Sequence, residues 1–161
     1  MNISPFGKVD PENVKEYYDG NIKVGDENIE IDLNFESESI SENLLVSVVN
    51  LIAQIKEFAD IAWKAVSHDW DLDEESETAR FYLQHHLEEF DEDEIIKLFG
   101  TTEIDKQTFI DALSLVRIGL YPEDEDMFAV FDIQFSQELT DYLMSVSLNQ
   151  SGQVTGISFE S

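Results

Sequence analysis

The stretch Ser41-Glu-Asn-Leu-Leu-Val-Ser-Val-Val-Asn-Leu-Ile-Ala-Gln-Ile-Lys-Glu-Phe-Ala-Asp-Ile-Ala-Trp-Lys-Ala-Val-Ser67 decides how the rest of the chain must fold. Leu44, Val48, Leu51, Ile52, Ile55, Phe58, Ala59, Ala62, Trp63 and Val66 recur in steps of three and four. That is the helical period, so the stretch predicts one long helix with a single apolar stripe. The opposite face carries Glu42, Asn43, Ser47, Asn50, Lys56, Glu57, Asp60 and Lys64, which suits water. At a rise of about 1.5 Å per residue the helix would cross a small domain, and its stripe needs a wide partner. Ser39 with Glu42 has capping-box spacing, and Ser41 is an alternative cap.

Working outward, the period changes to two. Ile29, Ile31, Leu33 and Phe35 alternate with Glu30, Asp32 and Asn34, which predicts a half-buried strand in a hairpin with Asn21 to Val24. Val14 to Tyr18 is a weaker strand candidate, and Met1 to Glu12 reads as an irregular lead-in. After the long helix comes an acidic loop, His68 to Glu75. A second helix is expected from Ser76 to Phe90, and a third from Asp93 to Phe99 with Gly100 as its stop. A turn or two follows through Phe109, Ala112 and Leu113. Ser114–Tyr121, Met127–Phe135, Tyr142–Leu148 and Val154–Phe159 then alternate again and predict an antiparallel meander. The expected class is α+β: an antiparallel sheet, made of an N-terminal hairpin and a four-strand meander, with three or four helices on one face. Residues 1–161 are expected to form a single domain.

Charge is the outlying property. Thirty-six Asp and Glu against nine Lys and Arg give a formal net charge of -27. Such a surface repels nucleic acid and anionic membranes, whose binding needs clustered cations, and attracts basic proteins. The alternative is acidity for solubility alone. Without cysteine there are no disulfides or thiolate metal sites. The N-terminal residues lack the basic start and apolar run of a signal peptide, so a cytoplasmic protein is expected.

Motifs for chemistry are sparse. Asp69, Asp71, Asp73 and Glu75 alternate like calcium-loop ligands. Counted from Asp69, however, Glu74 falls where the turn glycine belongs and Arg80 where the bidentate glutamate belongs. His85 and His86 are adjacent on a helix, pointing about 100° apart, so they do not readily share an ion. His85 with Glu89 could supply half a zinc site, and His86 lies on the apolar stripe. There is no Gly-x-Ser-x-Gly elbow and no phosphate-binding glycine loop with a lysine. The chain therefore reads as noncatalytic, with no cofactor. Trp70, inside the acidic loop, either folds back over the core or anchors in a basic partner's pocket, ringed by Asp69, Asp71, Asp73, Glu74 and Glu75. The leading expectation is a binding module for a basic partner, with a toxin-neutralising immunity role as its most concrete form. The alternatives are a metal-dependent enzyme or sensor using the His85/His86 region, and a structural or regulatory domain.

Several segments together carry a resemblance. Phe6-Gly7-Lys8-Val9-Asp10 with Glu16-Tyr17-Tyr18, the strand ending Ile-Asp-Leu-Asn-Phe35, and Tyr82 with His85-His86-Leu87-Glu88-Glu89 form its first part. Leu115-Val116-Arg117-Ile118-Gly119-Leu120-Tyr121-Pro122 and the closing Glu160-Ser161 complete it. Over essentially the whole chain this resembles the bacterial domain-of-unknown-function family DUF two-thousand-and-four. The resemblance implies a small bacterial cytosolic domain and carries no catalytic or cofactor residues.

Overall fold

The computed structural model describes residues 1–161. The long apolar stripe is there, but it belongs to two helices. α1 spans Glu42–Ala53 and α2 spans Ile55–Asp71, separated by Gln54, which leaves helical geometry at φ -115° and ψ 23°. No proline or glycine marks the break, and the apolar spacing runs straight through it from Leu51 to Ile55. Ser41 is the cap, accepting from the Leu44 N–H.

The expected loop after Ser67 is helix instead. α2 continues through His68, Asp69, Trp70 and Asp71 because Asp69 and Trp70 fall on its buried side, one turn beyond Val66. A 3-10 turn at Asp73–Glu75 follows, with Asp73 at φ 52°. α3 (Ala79–Glu89), α4 (Glu92–Phe99) and α5 (Lys106–Asp111) complete the helices. Gly100 ends α4 in the left-handed region at φ 75°, where a Cβ would be strained. Asp105 caps α5 by accepting from the Thr108 N–H. No helix is long and apolar enough to cross a membrane.

The lead-in contains a small two-strand ribbon, β1 (Asn2–Ile3) with β2 (Gly7–Lys8). The principal sheet has six strands in sequence order: β3 (Tyr17–Val24), β4 (Glu27–Asn34), β5 (Ser114–Leu120), β6 (Ala129–Gln134), β7 (Leu143–Leu148) and β8 (Val154–Glu160). β3 begins at Tyr17, so Val14 is not in a strand, although its side chain is buried. The sheet is mixed rather than antiparallel throughout: β4 and β5 pair in parallel, Glu30 beside Arg117 through Leu33 beside Leu120. The reason is topological. The chain leaves β4, passes through all five helices and returns beside β4 running the same way, as such crossovers require.

One sheet face carries Ile29, Ile31, Leu33, Ile118, Leu120, Phe131, Ile133, Met144 and Val146 into a core of 33 buried hydrophobic residues. Leu45, Val48 and Leu51 of α1, Phe58, Ala62, Val66 and Trp70 of α2, Tyr82 of α3 and Phe109 of α5 fill the same core. The other face is polar: Asp19 pairs with Asp32, Asp32 with Gly119, and, one step along β5, Arg117 with Asp132 and Asp132 with Ser145.

Candidate functional site: an acidic cleft beside the parallel strands

Because β4 and β5 are parallel, Asn34 and Leu120 end at the same edge of the sheet. The starts of β3 and β6, antiparallel to them, arrive at that edge too. Two connections therefore face each other there: Phe35–Ser37 leaving β4, and the loop Tyr121–Phe128 joining β5 to β6. The loop is tied at its base by the Tyr121 N–H donating to the Phe128 carbonyl, 2.9 Å. Inside it the Asp124 carboxylate accepts from the N–H groups of Asp126 and Met127 at 3.0 and 3.1 Å. Glu123 reaches across and accepts from the Glu36 and Ser37 N–H groups at 2.6 and 3.3 Å. Burial opposes the charge on Glu123, but the Ser37 side chain together with these two N–H groups outweighs it and holds its carboxyl below the ordinary glutamate range.

Between the two connections lies a cleft of about 550 Å³. Phe35, Tyr121 and Asn34 form its floor, and Glu16, Glu36, Glu123, Asp124, Glu125 and Asp126 supply carboxylates; no Lys, Arg or His lines it. Uncompensated like charges around a concave surface focus a negative potential outward.

The floor is continuous with an ion-pair network on the polar sheet face. Arg117 donates to Asp32 through Nε (2.6 Å) and one terminal nitrogen (2.8 Å), and to Asp132 through the other (3.0 Å). The terminal nitrogen on Asp32 also donates to the Tyr121 hydroxyl at 2.8 Å. Asn34 donates to Asp32 at 2.6 Å, and the Ser145 hydroxyl donates to Asp132 at 2.7 Å. Both carboxylates are nearly buried. Burial works against the Arg117 charge, yet the hydrogen bonds to Asp32, Tyr121 and Asp132 raise its pKa, so it stays protonated. All three guanidinium nitrogens are spent on the fold, and the network spans β4, β5, β6 and β7.

No protein-family model, curated protein or solved structure matches the chain. Its geometry has to speak for the site.

The acidic residues singled out from the sequence are divided among structural tasks. Asp69 is buried; its carboxylate accepts from Ser76 Oγ (2.7 Å), the Thr78 N–H (3.3 Å) and the Ala79 N–H (2.6 Å), which closes the start of α3. Trp70 is buried, stacked on Phe109 at 4.7 Å with the Arg80 guanidinium 4.5 Å from its ring centre. Of the two sequence readings, folding back over the core is the one the structure shows. Asp71 pairs with Lys106 at 2.8 Å, and Asp73 with Arg80 at 2.7 Å. Glu74 and Glu75 alone remain exposed and unpaired. The ring of carboxylates about an exposed Trp70 does not exist, because Trp70 faces inward and three of its neighbours are engaged.

His86 is buried. Its Nδ1 lies 2.7 Å from the Tyr82 carbonyl and must donate to it; Nε2 accepts from the Thr140 hydroxyl at 2.8 Å. Desolvation lowers its pKa, and both nitrogens are occupied. His85 packs against Tyr142 and Phe159, with Nε2 at 3.4 Å from Glu89.

Sequence analysis gave no role to Glu16, Glu36 or Glu123–Asp126. They lie far apart in the chain, and only the parallel pairing gathers them. A clue was available at Arg117-x-Gly119-x-Tyr121, whose alternation puts an arginine, a gap and a tyrosine on one strand face.

Proposed function

We propose that this chain is a noncatalytic binding module for a basic protein, and that the cleft at the ends of β4 and β5 receives lysine or arginine side chains of that partner. One observation carries the reading: six carboxylates line the cleft and no cation offsets them. A net charge of -27 draws a cationic partner in from a distance, and the cleft gives it a local destination. The half-buried Tyr121 ring in the cleft suits the apolar stem and the flat head of an arginine. Neutralising a cationic toxin is the most concrete form of this role. The DUF two-thousand-and-four resemblance is put forward on the same footing.

The test uses a capped hexa-arginine peptide titrated at low and moderate salt. Glu16→Gln, Glu36→Gln, Glu125→Gln and Asp126→Asn together should weaken binding more than tenfold. A charge-matched control, Glu74→Gln, Glu75→Gln, Glu92→Gln and Asp93→Asn, should weaken it only slightly. Equal effects from the two variants would reduce the cleft to a share of the general charge. Binding that ignores salt would sink the electrostatic reading altogether.

A further inference from the structure

The sheet is open, and its two edges are finished differently. At the β8 edge the Ile157 carbonyl accepts from Thr78 Oγ1 at 3.4 Å, so the start of α3 lies against that strand. At the β3 edge nothing comparable occurs. No backbone or side-chain hydrogen bond outside the β3–β4 pairing reaches any backbone group of Tyr17 to Val24.

Which groups are left over follows from the turn. β3 and β4 are joined by Gly25–Asp26, with Gly25 at φ 63° and no positive φ at Asp26, the pattern of a two-residue type II′ hairpin. Its closing pair, Val24 with Glu27, is the hydrogen-bonded kind, and such pairs alternate down the ladder. The Phe35 N–H donating to the Glu16 carbonyl at 3.0 Å keeps the same parity at the far end. Tyr17, Asp19, Asn21 and Lys23 therefore turn their N–H and C=O groups away from β4, along an unpaired edge eight residues long.

Side chains flanking this edge alternate as well. Tyr17, Asp19, Asn21 and Lys23 are exposed on the polar face, and Tyr17 keeps 55% of its surface. On the core face Pro5 packs on Gly20, where a Cβ would come within 2.9 Å of its ring, and Ile22 and Val24 further along are only half-buried. Residues 16–36 contain seven carboxylates and one lysine, so a second copy of this chain is repelled and a cationic strand is attracted.

We infer that β3 is a strand-addition site for an extended segment of the basic partner, with cationic residues on one side and apolar residues on the other. The new strand satisfies the outward backbone groups of Asp19, Asn21 and Lys23. Its apolar side chains cover Ile22 and Val24, and a basic side chain faces Asp19. The inference rests on the cationic-partner reading above and adds the way the partner is held.

The probe is a capped octapeptide of alternating lysine and valine, compared with the same peptide N-methylated at alternate residues. Methylation keeps the charge and removes the donors on one edge. The unmethylated peptide should bind, and methylation should weaken it about tenfold or more. Asn21→Pro, which removes one outward N–H at an edge position that tolerates proline, should weaken it similarly while the thermal transition is retained. If both peptides bind alike with ordinary salt dependence and Asn21→Pro is silent, strand addition is wrong and the charge-driven reading stands. If neither peptide binds at low salt, both readings fall. A concentration-dependent dimer of the unaltered chain, abolished by Asn21→Pro, would give the edge to a second copy and overturn the inference.

Discussion

Gly119 sits directly beside Asp32 across the one parallel strand pair, and the space a side chain at 119 would fill is taken by Arg117. A Cβ there would come within 2.8 Å of the guanidinium and 2.9 Å of the Tyr121 ring. The missing side chain lets Arg117 lie flat along its own strand and grip Asp32 with two hydrogen bonds. That grip fastens the N-terminal hairpin to the C-terminal meander.

Arg117→Met should destabilise the protein by about 3–5 kcal/mol, since Asp32 and Asp132 would remain nearly buried without a cation. Arg117→Lys should recover only part of this, because an ammonium cannot reproduce the forked contact. Gly119→Ala should cost about 1–3 kcal/mol by displacing the guanidinium. Urea unfolding of the single and double variants measures this, and the two losses should not add. Full additivity would mean that Gly119 does not act through Arg117.

Asp69→Ala should cost about 1–3 kcal/mol, as it leaves the Thr78 and Ala79 N–H groups without an acceptor at the start of a packed helix. Peptide binding at the cleft should be unchanged. A large loss of binding in a variant that still folds would restore Asp69 to a partner surface.

Trp70→Ala should destabilise by about 3–5 kcal/mol through loss of its packing on Phe109 and Arg80. Its fluorescence should stay shielded from an added quencher in the intact protein, because the residue is buried. Ready quenching with the fold intact would contradict that placement, provided Trp63 is replaced so that Trp70 reports alone.

Stability should fall as the solution is acidified through the histidine range. Burial lowers the pKa of His86 below its ordinary 6.5, so the folded state resists the proton that the unfolded chain accepts. The contribution is complete above about pH 6.5 and is lost progressively as pH drops toward the depressed value. His85 nearby adds to the lowering, Glu89 opposes it, and the Tyr82 carbonyl and Thr140 hydroxyl fix the neutral tautomer. Denaturant midpoints between pH 7 and pH 5.5 should therefore decline, and His86→Gln should flatten that slope. An unchanged slope would assign the decline to other groups.

Glu125→Gln with Asp126→Asn should raise the melting temperature slightly while weakening cationic peptides. Like charges crowded at the cleft oppose folding and favour binding. Added salt should stabilise the unaltered protein and shrink the difference between the two. Loss of stability in this pair would show that the carboxylates serve the fold instead.

Local pattern alone was enough for the strands from Ile29 to Phe35 and from Ser114 onward, for the stop at Gly100, and for the amphipathic stripe; it left the cap of α1 between Ser39 and Ser41, and the structure gives Ser41. Each depends on neighbours within a few residues, where period and capping chemistry act directly. The break at Gln54 left no such mark, since Leu51 to Ile55 is an ordinary helical step. The task of Asp69 was equally hidden: an aspartate before an acidic run looks solvated until α3 is laid against it. Glu16, Glu36 and Glu123–Asp126 became neighbours only when β5 came to rest parallel to β4. Residues distant in the chain meet through packing of whole elements, and that step decides which carboxylates share a cleft. Sequence determined that the surface would be strongly negative; tertiary structure decided where that charge is left unpaired.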